Sequence, residues 1–173
     1  MLDEIQEKMV AAMKIIQDLG YEAEDVSAKE FYDWMTGEIF SEDIATLRDV
    51  LGNEYLMIHE LVEISELKKM GRKIDKCVIV DSPKEVIYRA HFFAQEFGMN
   101  YAPKKNDYYW VKLRLRHHKG VLYDDPNLPD ELRAVAQTIY DKFLQIEKED
   151  PYRHYDIKWY IRMLSHQHIW FVL

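Results

Sequence analysis

The sequence predicts an all-α protein, a bundle of seven to nine helices in one domain spanning residues 1–173. Three observations predict it. Apolar residues recur at spacings of three and four along most of the chain. Helix-start residues (Ser, Asn, Pro) and helix-stop glycines punctuate those segments at helix-like lengths. Only two short stretches, 77–80 and 110–115, carry a strand-like pattern, so a minor β element there is the one admixture the pattern allows.

The elements follow in order. Residues 3–19 put Ile5, Met9, Ala12, Met13, Ile16 and Leu19 on one face, and Gly20 closes the helix. Ser27 with Glu30 forms a capping-box pair ahead of Phe31-Tyr32-Asp33-Trp34-Met35. Ser41, followed by Glu42 and Asp43, starts a short helix that ends near Gly52. The fourth helix covers roughly 53–70 and finishes in Lys68-Lys69 and Gly71, as the helix dipole and C-cap favour. Cys77-Val78-Ile79-Val80 is β-branched and suits a lone strand or a buried extended linker, with Cys77 an inert buried thiol. Ser82-Pro83-Lys84-Glu85 opens a fifth helix that runs to Phe97 and stops at Gly98. In 107–118, Val111, Leu113 and Leu115 alternate with Lys112, Arg114 and Arg116, which is the strand period; the helical neighbours favour a helix. Pro129-Asp130-Glu131 opens a long helix through Lys148, Pro151 breaks it, and a last helix is expected near 155–167.

Bulk properties exclude several classes. A net charge of −8 opposes general nucleic-acid binding, which needs clustered positive charge. One cysteine excludes an intramolecular disulfide and a cysteine-rich zinc site. No apolar run approaches the ~18 residues of a membrane span, and the acidic Met1-Leu2-Asp3-Glu4 is unlike a signal peptide. The expected location is the cytoplasm. The terminal Trp170-Phe171-Val172-Leu173 needs cover from the chain's own core or from a second subunit, which makes a homo-oligomer, a homodimer above all, the expected assembly.

The chemistry concentrates in His59-Glu60-Leu61-Val62-Glu63-Ile64-Ser65-Glu66. At ~100° per residue, His59, Glu63 and Glu66 lie within about 60° of one another. Tyr55, Leu56, Val62, Leu67 and Met70 border that face, so titratable groups stand in an apolar stripe, where they need partners. His59 and Glu63, at i and i+4, can reach one ion. The fifth helix supplies His91, with Gln95 one turn on. The candidate metal ligands are therefore His59, Glu63, Glu66 and His91, for zinc, iron or manganese. Glu60, about 100° away from His59, is the reserve catalytic base. The chemistry expected is metal-activated water attacking a small anionic substrate. The basic run Lys112, Arg114, Arg116, His117, His118 and Lys119 could grip such an anion. A structural reading stands beside it: a solvated face balanced by Asp124, Asp125, Asp130 and Glu131.

His59-Glu60 followed by Glu63 departs from the zinc-peptidase pattern H-E-x-x-H, since Glu63 stands where the second histidine belongs. Glu60-x-x-Glu63 with Glu96 is similar to the acidic helices of all-α nucleotide pyrophosphohydrolases. That resemblance implies magnesium held by carboxylates around a diphosphate, although Met99 stands where the second motif would place an aspartate. A non-catalytic helical interaction module, its polar stripe fixing helix register, is the remaining alternative. The first reading requires His59 and His91 to converge. The pyrophosphohydrolase reading requires Glu60, Glu63 and Glu96 to converge instead.

Overall fold

Two helices, α4 (Glu54–Lys69) and α6 (Lys84–Tyr101), pack against each other more extensively than any other pair. The computed structural model describes residues 1–40 and 45–150, and each regular element among them is helical. Around the central pair stand α1 (Leu2–Asp18), α2 (Ala28–Met35), α3 (Leu47–Leu51), the one-turn α5 (Val78–Asp81), α7 (Tyr108–Asp124) and α8 (Asp130–Lys148). A 3₁₀ turn, Ala102–Lys105, links α6 to α7. The eight α-helices match the all-α expectation. Among the described residues no helix is long and apolar enough to cross a membrane.

Local chemistry explains the boundaries. Ser27 and Glu30 form the capping box of α2, and Thr46 with Asp49 repeats it at α3. The expected start at Ser41 lies outside the described residues, as do the helix near 155–167 and the terminal apolar residues. Asn53 caps α4 by accepting from the backbone N–H groups of Tyr55 and Leu56.

Two expectations change, at 77–80 and at the ends of α6, and the helix favoured for 107–118 is observed. The stretch 77–80 is no strand. The Asp75 side chain accepts from the backbone N–H of Cys77 at 3.0 Å, and its carbonyl accepts from Val78, so the aspartate turns the chain into the single turn of α5. Cys77 is there partly exposed rather than buried. The stretch 110–115 lies inside α7, because Trp110, Val111, Leu115, His118 and Leu122 bury at helical spacing while Leu113 faces outward. Helix α6 begins with Pro83 in the cap position and passes through Gly98 to Tyr101.

The apolar core has two parts. One joins α1, α2, α3 and α4 to Ile87, Ala90 and Ala94 of α6. The other joins α7 and α8 to Tyr88, Phe92 and Met99 on the opposite side of α6. His91 sits on α6 at the seam between the two sides.

Candidate metal centre

Helix α4 is buried on nearly every side, with Ile58, Leu61, Val62, Ile64 and Leu67 fully enclosed. Its two buried titratable groups, His59 and Glu63, are spaced one turn apart and turn toward α6. There they meet His91. His59 Nε2 and His91 Nδ1 each lie 3.1 Å from Glu63 Oε2, and 3.4 Å from one another. The two rings meet nearly edge to face, at 75°. The His91 side chain is 21% exposed, against 7% for His59 and 6% for Glu63, so the cluster reaches solvent on the His91 side.

The triangle has the dimensions of a ligand set. Atoms about 2.1 Å from a tetrahedral or octahedral ion stand roughly 3.0–3.4 Å apart. The three groups could hold a metal ion, and they are such a group among the described residues. Three protein donors on one side of an ion leave positions opposite them for water or substrate. Two histidines and a carboxylate suit zinc, iron or manganese better than magnesium, which prefers oxygen.

Protonation follows from burial and charge. Burial holds the His59 imidazolium down to about 4, and the hydrogen bond to Glu63 offsets this only in part. Burial alone would raise Glu63. The charge on His91 and the hydrogen bonds from both rings outweigh it and bring the carboxyl well below its usual range. Burial likewise opposes a charged His91, and the Glu63 carboxylate overcomes it, raising His91 above its ordinary value. Burial thus favours a neutral His59, while Glu63 and His91 each favour the charged form of the other.

The other candidates lie elsewhere. Glu66 accepts from the Tyr21 hydroxyl at 2.5 Å and from Lys69 at 3.0 Å. It shares the angular face of His59 but stands seven residues on, ~10 Å along the axis, at the level of the α1–α2 connection. Glu60 accepts from Trp34 Nε1 at 2.7 Å, and its charge is still felt at His91. Glu96 is ion-paired with Lys142 of α8, so Glu60, Glu63 and Glu96 do not form the carboxylate cluster that a magnesium-diphosphate site requires.

The basic segment 112–119 divides. Lys112 reaches Glu147 at 3.7 Å; Arg116, His117 and Lys119 are exposed; Arg114 is half-buried. His118 is fully buried, with Nδ1 2.9 Å from Gln95 Oε1 and Nε2 2.7 Å from the Ala136 carbonyl. Two of the four acids expected to balance this run have other partners: Asp125 accepts from Tyr88 and Asp130 from Arg133. The burial of His118 has one sequence signal, its place two helical turns after Trp110.

Fold and cluster together define an all-α protein with a two-histidine, one-carboxylate group at a helix–helix seam. The chain matches no family model, and comparison with curated proteins and with solved structures finds no match.

Proposed function

We propose that this is a divalent-metal protein whose ion is held by His59 Nε2, Glu63 Oε2 and His91 Nδ1. One observation carries the reading: three donors from two helices converge at ion-ligand spacing, in a buried seam open on one side. Burying two imidazoles and a carboxylate is costly, and a pair of hydrogen bonds to one oxygen is a modest return. An ion replaces the shared proton and satisfies all three donors together. His59, held neutral by burial, is ready to ligate, and binding of an ion displaces any proton that Glu63 holds on His91.

The chemistry this supports is hydrolysis. A divalent ion held by His59, Glu63 and His91 would supply an activated water for hydrolysis of a small anionic substrate. Zinc, iron and manganese all suit the donor set. The competing reading, a non-catalytic module, draws on the same geometry, since Glu63 Oε2 accepts from both rings with no ion present.

Elemental analysis separates the two. Wild type purified without an affinity tag or added metal is compared with His59→Ala by plasma mass spectrometry. The expected result is near one zinc, iron or manganese per chain, lost in the variant. Wild type that is metal-free and takes up none of these ions on dialysis would overturn the metal reading and leave the cluster a structural hydrogen-bond triad.

A further inference from the structure

His118 is a buried titratable group that the metal reading leaves without a role. It stands on α7, is fully enclosed, and meets two further helices at its ring. From α6 come the Gln95 amide oxygen, 2.9 Å from Nδ1, and the Phe92 ring, crossed at 63° with centroids 5.5 Å apart. From α8 comes the Ala136 carbonyl, 2.7 Å from Nε2. Gln95 is 1% exposed, and its amide nitrogen donates to the Arg114 backbone carbonyl of α7 at 3.5 Å. Both nitrogens of the His118 ring thus face oxygens that only accept. In this arrangement each nitrogen must carry a hydrogen, and the ring is an imidazolium. Burial opposes that charge, and the bond to Ala136 offsets burial only in part. His91 on α6 and Arg114 on α7 oppose it further, and α8 meets the ring with a carbonyl and no carboxylate among the described residues.

A neutral ring keeps one hydrogen. Held on Nε2, it preserves the 2.7 Å bond to Ala136, and Nδ1 must then accept. The Gln95 amide nitrogen is the donor at hand, so the amide turns over by about 180° and presents its nitrogen to the ring. Its oxygen then faces the Arg114 carbonyl, two acceptors oppose each other, and the 3.5 Å bond to α7 is lost. Each state of the ring therefore selects one orientation of the amide. Each also carries one cost, a buried charge in the first and an unmet acceptor in the second. We propose that His118 and Gln95 form a proton-operated latch among α6, α7 and α8, in which protonation of the ring turns the Gln95 amide and makes the bond from α6 to the α7 backbone. In acid, the ring donates to α6 and α8 while Gln95 donates to α7. At neutral pH the last of these bonds is open. Neither latch residue is a candidate ligand, so the test does not depend on an ion at the α4–α6 cluster.

The test uses nitrogen-15-labelled full-length protein, freed of metal by a chelator and followed by NMR from about pH 8 to about pH 4.5, across the ordinary histidine range. Ring nitrogen shifts report which nitrogen of His118 carries hydrogen, and the Gln95 side-chain amide resonances report the amide. His118→Asn and Gln95→Leu assign the two sets. At the upper end the ring is expected to be neutral, with its hydrogen on Nε2. Below pH 6.5 it should become an imidazolium, and the Gln95 amide resonances should move with the same midpoint. Gln95→Glu offers Nδ1 oxygens only and should strengthen proton binding at His118 about tenfold or more. If that variant does not fold, wild type decides alone. The latch is overturned by a ring charged throughout, a neutral ring protonated on Nδ1, or an amide that does not move with the ring. A Gln95→Glu midpoint equal to that of wild type, or unfolding before the ring titrates, overturns it equally.

Discussion

Glu63 Oε2 faces two imidazole nitrogens, and this contact, set against burial, governs the protonation of the cluster. The consequence for metal-free protein is a stability profile with a defined sign. His59 has a folded value near 4 against an ordinary value of 6.5, so the unfolded chain binds its proton first as the pH falls. His118, lowered chiefly by burial, acts in the same direction. Stability is intact above about pH 6.5 and is lost progressively toward pH 4, by roughly 3 kcal/mol for His59 alone. Glu63, depressed below 4.5, adds a further loss at the acid end of the range. His91 has the opposite sign. Its value is raised, so its contribution is full below 6.5 and fades as the pH rises through its folded value. Metal-free protein should therefore be most stable near pH 6.5–7, and urea midpoints should fall steadily on acidification to pH 4.5. Midpoints that stay constant over that interval would mean that both rings titrate as they do in water.

Among the elements, glycines test the packing most directly. Gly98 lies inside α6, and a methyl group built there meets nothing within 4 Å. Gly98→Ala should stabilise the protein by about 0.5–1 kcal/mol, the usual helix-propensity gain. Gly37 is the opposite case. Its added carbon would stand 2.5 Å from the Lys76 carbonyl, which also accepts from the Glu38 backbone N–H. Gly37→Ala should cost about 2 kcal/mol or more, because backbone rather than a flexible side chain must move. Chemical denaturation of both variants checks the pair, and equal effects would contradict the packing at both sites. The same glycines mark where the sequence was legible. Gly20 and Gly71 close helices, both with positive φ, and both are readable as stops. Gly98 is not a stop, because continuing α6 buries Met99 and Tyr101, worth ~1.5–3 kcal/mol each against ~1 for a helical glycine. In α7 the alternation of Val111, Leu113 and Leu115 hides the helical stripe, and only tertiary burial of Trp110, His118 and Leu122 selects it. His59 and Glu63 were legible because one helix carries both. Glu66 was misleading because angle alone ignores rise, and the buried His118 was obscured among exposed basic neighbours.

For the molecule as a whole, the cluster lies on the contact between α4 and α6, and α6 is shared by both halves of the core. An ion there ties together the two helices on which both halves depend. Loading at one hundred times the dissociation constant contributes ~2.7 kcal/mol, which for a chain of this size is roughly 5–10 °C in Tm. The cooperative unfolding transition should move upward as one, and a shift confined to a partial transition would place the ion off this seam. The converse experiment asks why the polar cluster exists. Replacing His59, Glu63 and His91 together by leucine removes three desolvated groups and supplies apolar volume to a buried seam. Such replacements of buried ion pairs are often neutral or stabilising by ~1–4 kcal/mol. The triple variant should therefore melt at or above the metal-free wild type, with no response to added metal. That combination is what a site kept for binding, at some expense of stability, requires. A triple variant that melts well below metal-free wild type, or loses a single cooperative transition, would instead assign the cluster to holding the register of α4 against α6.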